Sequence, residues 1–381
     1  MDETRPIMTR EVIQPKPVAD NFADIGKPRI TVLGLGGGGS NAVNRMIELG
    51  LSGVDFIAAN TDHQALATSL ADTKLRLGPT ITRGLGAGGD PKIGAAAAME
   101  SSREIAAALK GSDMVFITAG MGGGTGTGAA PVAAEIAREV GAVVIAVVTT
   151  PFTFEMSRRD RNAGEGIKKL RPHTNTLITI PNDRLLQIIP ENLSLEVAFR
   201  VADDVLRQGV QGIAELVTQP GLINVDFAHV REMMQRGGGA YLSIGLGEGP
   251  QKSVSAIQQA LHHPLLTLDS LDQAQGVLVH FTGGDDLSLI EVGDAVLELR
   301  KAVAPDADLI LGASNNPNMH NRTQVILIIT GIGAQSVRSM ATSRSLSVQE
   351  KSGSSKNVLA ADNIDVPTFL RRRALMSEMR E

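Results

Sequence analysis

Five strand-sized runs rich in valine, isoleucine and threonine constrain this chain more than any other feature. They are "RITVLGLG", "VDFIAAN", "DMVFITAG", "AVVIAVVTT" and "TLITIPN", lying between Arg29 and Asn182. Between them stand alanine- or leucine-rich helical stretches at Asn41–Leu49, Lys92–Leu109 and Ala129–Val140. Strands that alternate with helices build a parallel sheet covered on both faces. The longest apolar run, Ala142–Val148, is strand-sized and too short to cross a bilayer. Aromatic residues make up only 3% of the chain, with one Tyr and no Trp, so the core must be built from aliphatic side chains.

A long periodic segment follows from about Leu193 to Val217, closed by "TQPGL". Beyond it come "AYLSIGLG", "GVLVHFTGG", "ADLILGASN" and "QVILIITGIG", with helical stretches at Ser253–His262 and Ser288–Val303. This is a second, smaller α/β unit, joined to the first by the long helix. The expected organisation is an N-terminal arm at 1–28, a nucleotide-binding domain at 29–192, and the central helix with its connection at 193–222. A second domain at 223–333, a Ser-rich linker at 334–361 and a terminal peptide at 362–381 complete it. The linker lacks hydrophobic periodicity and reads as disordered. The chain ends in "IDVPTFLRRRALMSEMRE", an apolar cluster beside three arginines that suits a partner-docking peptide.

The bulk numbers exclude several classes. A net charge of -5 gives no basic footprint for nucleic acid. With no cysteine there are no disulfides or thiolate metal sites, which fits a cytoplasmic protein. "MDETRPIMTR" has no apolar signal core. Neither direct membrane insertion nor nucleic-acid binding is expected. His262 and His263 do not make a zinc site, because adjacent residues on a helix face different ways.

The 41 glycines concentrate in a few loops. "VLGLGGGGSNAVNRM" contains G-x-G-x-x-G as Gly34, Gly36 and Gly39 between a strand and a helix. Glycine lets backbone approach an anion, and a helix N-terminus aims free N–H groups at it. Alone, that pattern also fits a tight turn without ligand, or an NAD(P)-dependent oxidoreductase with Asp55 on the ribose. "AGMGGGTGTGAAP" changes the balance. Its glycines and two threonines between Gly122 and Gly128 supply successive N–H donors with almost no bulk, as a cradle for several phosphates requires. A third stretch, "GLGAGGDP", follows the next crossover. Loops at the ends of parallel strands converge on one crevice, where open α/β sheets bind ligands.

No G-x-x-x-x-G-K-[ST] is present, so the P-loop class is excluded. Downstream polar groups suit a purine nucleotide: Glu155 and Arg159 on the helix after "TTPFTF", Asn182 after "TLITIP", and Phe199 with Asp203 on the long helix. A Phe can stack on a base, and a carboxylate facing N1–H and N2–H₂ favours guanine over adenine.

At these residues the chain resembles the tubulin/FtsZ family of GTP-dependent polymerising proteins. "GGGTGTG", "NTD" (Asn60–Asp62), "GLGAGGDP", "TTPFTFE", "PNDRLL", "GVQGIAELVTQPGLINVDFA" and "TGIG" match its motifs in order across residues 29–333. "IDVPTFLRRR" resembles its C-terminal docking peptide. The resemblance implies a Rossmann-like GTP-binding domain joined by a long central helix to a smaller α/β domain. It implies GTP/GDP as ligand, with Mg²⁺ bound mainly through phosphates and water. Gly37, Gly38, Gly39, Ser40 and Asn41 would form the first phosphate loop. Ala87, Gly88 and Gly89 would lie near the γ-phosphate, and Gly124, Thr125 and Gly126 in the main cradle. Glu155 and Arg159 would meet the ribose and phosphate side, and Asn182, Phe199 and Asp203 would hold guanine. The implied partners are further copies, head to tail, and membrane-tethering or regulatory division proteins at residues 364–373. The implied location is the midcell division ring.

"INVDFAHVR" then becomes the informative departure. Asp226 and His229 would be neighbours on a helix, read locally as a catalytic pair, a metal pair, or an N-cap and a surface His. The resemblance implies instead that this loop presses on the GTP of the next subunit, with Asn224 and Asp226 positioning water. The family pattern N-x-D-F-A-D has a second Asp where this chain has His229. A carboxylate is negative near neutral pH, whereas an imidazole supplies no fixed negative charge there. Two expectations follow: hydrolysis is slowed or made pH-sensitive, leaving a filament-forming or regulatory GTP-binding protein, or Asn224 and Asp226 suffice.

Overall fold

In a computed structural model of the chain, residues 28–187, 194–218, 221–223, 225–236, 238–265, 271 and 274–332 are described. The expected arm up to residue 27, the linker at 334–361, the peptide at 362–381 and Asn224 lie outside them.

The N-terminal half runs β1 (Ile30–Leu35), α1 (Gly36–Glu48), β2 (Asp55–Asn60), α2 (His63–Ala67), β3 (Thr73–Arg76), α3 (Pro91–Glu100) and α4 (Ser102–Leu109). It continues through β4 (Met114–Gly120), α5 (Thr125–Glu139), β5 (Val143–Thr150), α6 (Ser157–Leu170), β6 (Thr176–Pro181) and α7 (Asn182–Leu185). After α8 (Leu195–Thr218) come α9 (Phe227–Gln235), β7 (Gly239–Glu248), α10 (Lys252–Leu261), β8 (Gly276–Gly283), α11 (Leu289–Ala302), β9 (Asp308–Asn315) and β10 (Arg322–Ile332).

Among the described residues the strands form one ten-stranded sheet in the order β3-β2-β1-β4-β5-β6-β7-β10-β8-β9. The first six are parallel, and β1 lies between β2 and β4 with Thr31 opposite both Asp55 and Val115. Both faces of β1 are buried, as its unbroken apolar run requires. The joint to the second half is narrow. β6 and β7 pair only at Leu177↔Gly239 and Ile178↔Ala240. Beyond it β10 runs antiparallel to both β7 and β8.

Three apolar clusters organise the layers. One contains Leu33, Ile117, Ala133 and Val144 between the N-terminal sheet and the α5 side. Another contains Val279, Phe281, Val292 and Leu327 under α10 and α11. The third spans both halves, joining Val32 and Phe116 to Leu278 and Ile328 through Leu206, Val210 and Ile213 of α8. The central helix is therefore the core element that the two halves share.

Several boundaries differ from the expectation. α1 and α5 begin at Gly36 and Thr125, so residues taken as loops form first helical turns. The helix expected over Lys92–Leu109 is interrupted at Ser101, whose hydroxyl accepts from Gly78 N (3.0 Å) and donates to the Arg76 carbonyl (3.3 Å). Both bonds tie the break to the backbone at and just after the end of β3, 25 and 23 residues earlier in the chain, so tertiary contact fixes it. Glu155 does not share a helix with Arg159. It closes a 3₁₀ turn, Thr153–Glu155, and Met156 at φ 77° separates that turn from α6.

Candidate functional site

The C-terminal ends of β1, β4, β5 and β6 open into a cavity of about 370 Å³. Its floor is made by two helix N-termini side by side. The first is α1, contributing Gly37, Gly38 and Asn41; the second is the turn into α5, contributing Gly123, Gly124, Thr125 and Gly126. Each helix leaves its first N–H groups without intrahelical partners and carries positive potential there. Together they favour an anion with several oxygens.

Glycine is needed here for two separate reasons. At Gly36 (φ +68°) a Cβ would stand 2.9 Å from Gly126 N, and at Gly126 a Cβ would stand 2.7 Å from the Gly120 carbonyl. These glycines let the two helix starts touch. A Cβ on Gly37 or Gly123 would instead meet nothing within 4 Å, so those positions keep backbone open to the cavity. Gly39 belongs to the first group, since its Cβ would run into the Thr118 carbonyl. It and Ser40 are buried behind the cavity and do not line it.

The two threonines of the second loop divide their work. Thr127 is buried, and its hydroxyl accepts from Gly122 N at 2.8 Å, fixing the loop from within. Thr125 lines the cavity and shares a 2.6 Å hydrogen bond with the Thr61 hydroxyl. Ala87, Gly88 and Gly89 do not line the cavity, but they are tied to its rim. Ala87 packs where a Cβ on Gly124 would go, and Asn162 Nδ2 donates to both Gly89 O (3.4 Å) and Gly122 O (3.3 Å). Gly88 and Gly89 both have positive φ, a conformation that glycine adopts without steric cost.

Opposite the helix starts, the wall carries side chains. Glu155 and Arg159 form an ion pair, and Glu155 also accepts from Phe152 N at 3.0 Å. Among the described residues, Arg159 is the only cation lining the cavity. Negative charge bound there would be met mainly by backbone. The far end is shaped for a flat ring. Phe199 meets the buried Phe152 edge-on at 5.6 Å, which leaves Phe199 partly exposed at the cavity. Asn182 is buried with its side-chain oxygen unpartnered, a free acceptor at the same end. Asp203 lies one helical turn beyond Phe199, and burial pushes its carboxyl up to about 7. A half-buried carboxyl without a cation partner gains by accepting from donors on a ligand.

The cavity thus gathers Gly37, Gly38, Asn41, Gly124, Thr125, Gly126, Glu155, Arg159, Asn182, Phe199 and Asp203. Gly123, one of the glycines expected in the cradle, lines it too, as do Gly120, Met121, Thr149, Pro151 and Ala202, which were not named as site residues. All but Ala202 lie inside quoted motifs, Gly120, Met121 and Gly123 in "AGMGGGTGTGAAP" and Thr149 and Pro151 in "TTPFTFE". Ala202 is found only by helical geometry, three residues after Phe199 and on the same face of α8.

The dinucleotide alternative loses its ribose acid. Asp55 opens β2 at the opposite end of the strand and binds Arg29 Nε at 2.7 Å.

The hydrolysis residues expected from "INVDFAHVR" lie at the other end of α8. Asp226 caps α9, accepting from Ala228 N at 2.8 Å, and is exposed; His229 is exposed in the first turn of α9. From Asp203 to Thr218 the helix alone rises roughly 22 Å. Neither residue reaches the cavity of its own chain. Among the described residues no group of three or more His, Cys, Asp or Glu is arranged to hold a metal, and no helix is long and apolar enough to cross a membrane.

Comparison with known proteins accords with this geometry. Residues 29–190 match the Tubulin/FtsZ family GTPase domain, and residues 238–333 match the FtsZ family C-terminal domain. A solved structure described as an empty FtsZ dimer from M. jannaschii is 47% identical, with 82% of this chain and 91% of that chain covered and a TM-score of 0.79. A point mutant of FtsZ from M. jannaschii is 48% identical over 80% of this chain and 92% of that one, with a TM-score of 0.78. CetZ2 from Haloferax volcanii, solved as a GTPγS-bound protofilament, shares the fold at 20% identity, with 84% of this chain and 98% of that one covered and a TM-score of 0.69.

Proposed function

The chain belongs to the tubulin/FtsZ family, and from that premise we propose that it binds GTP in the 370 Å³ cavity and hydrolyses it only between head-to-tail subunits. The observation that carries this reading is the separation of the two half-sites. The glycine cradle and Asp203 stand at one end of α8; Asp226 and His229 stand past the other, exposed and free to meet a neighbour. We take residues 29–192 as the nucleotide-binding domain, 193–222 as the connection and 223–333 as the domain that lends the second half-site.

In this mechanism the α1 and α5 N-termini and the Gly123–Gly126 backbone hold the phosphates. Arg159 adds the one side-chain cation. Phe199 stacks on guanine while Asp203 accepts from N1–H and N2–H₂ and Asn182 accepts nearby. The Asp226 carboxylate of the next subunit, with Asn224, orients the attacking water in line with the γ-phosphorus. The water oxygen forms the new P–O bond as the bond to the β-phosphate oxygen breaks, and GDP and phosphate leave. Bound Mg²⁺ would be held by phosphate oxygens and water and would supply positive charge.

A second reading is favoured by His229. On the exposed first turn of α9, beside the Asp226 cap, it replaces a fixed negative charge with an imidazole. On this reading filaments form with GTP but turn over slowly. Sedimentation and phosphate release with GTP test both readings. Assembly that reverses as phosphate appears is the expected result, and no GTP-dependent assembly would overturn the proposal. Asp226→Ala should abolish turnover while leaving GTP binding intact. A gain in turnover for His229→Asp supports the slow reading, and an unchanged rate sinks it.

A further inference from the structure

Gly122 is gripped at both of its backbone polar groups by side chains. Its N–H donates to the Thr127 hydroxyl at 2.8 Å, and its carbonyl accepts from Asn162 Nδ2 at 3.3 Å. It stands at φ +108°, where a Cβ would meet the Arg159 carbonyl at 3.0 Å, so the backbone of α6 lies directly against it. Asn162 follows on α6, three residues after Arg159 and half-buried. Unlike Arg159, it does not line the nucleotide cavity.

The bond to the Gly122 carbonyl acts on the next residue. In a trans peptide the C=O of one residue and the N–H of the next point in opposite directions, and no described peptide bond is cis. With the Gly122 carbonyl drawn toward Asn162, outside the cavity, the Gly123 N–H is turned the other way. Gly123 lines the cavity, and a Cβ on it would meet nothing within 4 Å. Among the described residues no acceptor takes its N–H. It is a backbone donor held ready for a ligand oxygen.

The same amide nitrogen carries a second hydrogen, which goes to the Gly89 carbonyl at 3.4 Å. Gly88 and Gly89 are both at positive φ, and a Cβ on either would meet nothing within 4 Å, so the turn is not packed in place there. One side chain thus ties this turn to the phosphate loop. We infer that Asn162 is a positioning residue for the bound triphosphate, aiming the Gly123 N–H and holding the turn at 87–89 beside it. The inference rests on the proposed function, with that turn near the γ-phosphate. GDP then uses the first tie and GTP uses both, so Asn162 sets the preference for GTP over GDP without touching either.

Asn162→Leu keeps the branching and size of the side chain and removes both donors. Thermal melting of the full chain, with competition of GTP and GDP against a fluorescent GDP, tests the inference. The variant should melt like wild type, bind GTP about five- to tenfold more weakly and GDP about twofold more weakly, the scale of two lost hydrogen bonds against one. Asn162→Ala should show the same split, which separates the loss of the donors from crowding by Leu. If both variants bind the two nucleotides as wild type does, or lose them equally, the inference is overturned while the proposed function stands. If GTP does not compete on wild type, both fall.

Discussion

At the scale of single residues, Asp203 is the most informative side chain. Its carboxyl is pushed up to about 7 by burial, far above the ordinary carboxylate range. In the unfolded chain it ionises near 4, so between about pH 4 and 7 the native state holds a proton that the unfolded state has lost. The ligand-free protein therefore loses stability as pH rises through that window. Asp203→Asn removes this loss: its melting temperature should exceed wild type at pH 8 and match it at pH 4. Binding has the opposite sign, because only the ionised carboxylate accepts from both N1–H and N2–H₂. GDP affinity should fall by up to about tenfold per pH unit below 7. In Asp203→Asn that component should vanish, leaving the nucleotide's own titration, which is common to both proteins. Calorimetry at several pH values checks both statements. An identical pH profile for the two would rule out this role. Sequence reading placed Asp203 at the base, but its burial is a property of α8 packed against the rest of the fold.

At the scale of elements, the decisive finding is that two glycine-rich stretches are helix beginnings. Gly36 and Thr125 open α1 and α5 side by side, and their contact through Gly36 and Gly126 sets the spacing of the N–H groups. Glycines in one stretch therefore fail differently when replaced. At Gly128 a Cβ would collide with the Pro91 carbonyl and push α3 off α5, whereas at Gly123 it would meet nothing. Gly128→Ala should destabilise the fold by about 1–3 kcal/mol, the usual cost of overpacking. Gly123→Ala should melt like wild type yet bind GTP more weakly, since the new methyl stands in the anion's path. Thermal melts paired with nucleotide titrations separate the two, and a fold loss at Gly123 would contradict the distinction. Sequence reading saw the richness in glycine but not which ones pack. That depends on the backbone of another element lying within 3 Å, which no local pattern records.

At the scale of the molecule, α8 is the shared core of both halves and the spacer between two half-sites. If the sites are completed between subunits, two defective chains should repair each other. Asp226→Ala keeps an intact cradle, and Asp203→Asn keeps an intact loop. Phosphate release from their mixture should exceed the average of the two measured alone, because some interfaces pair a good cradle with a good loop. A mixture no better than that average would argue for hydrolysis within one chain. The sequence by itself determined the parallel β/α alternation, the position of α8, the glycine loops and the family, because periodicity and motif order are local and survive without coordinates. Only the tertiary structure decided which residues line one cavity, that Gly39 and Ser40 stand behind it, and that Asp55 faces away. It also decided that Asp226 and His229 lie a helix length from Asp203. Distance between residues far apart in the chain is set by strand order and helix packing, and those follow from how the whole apolar surface is buried at once.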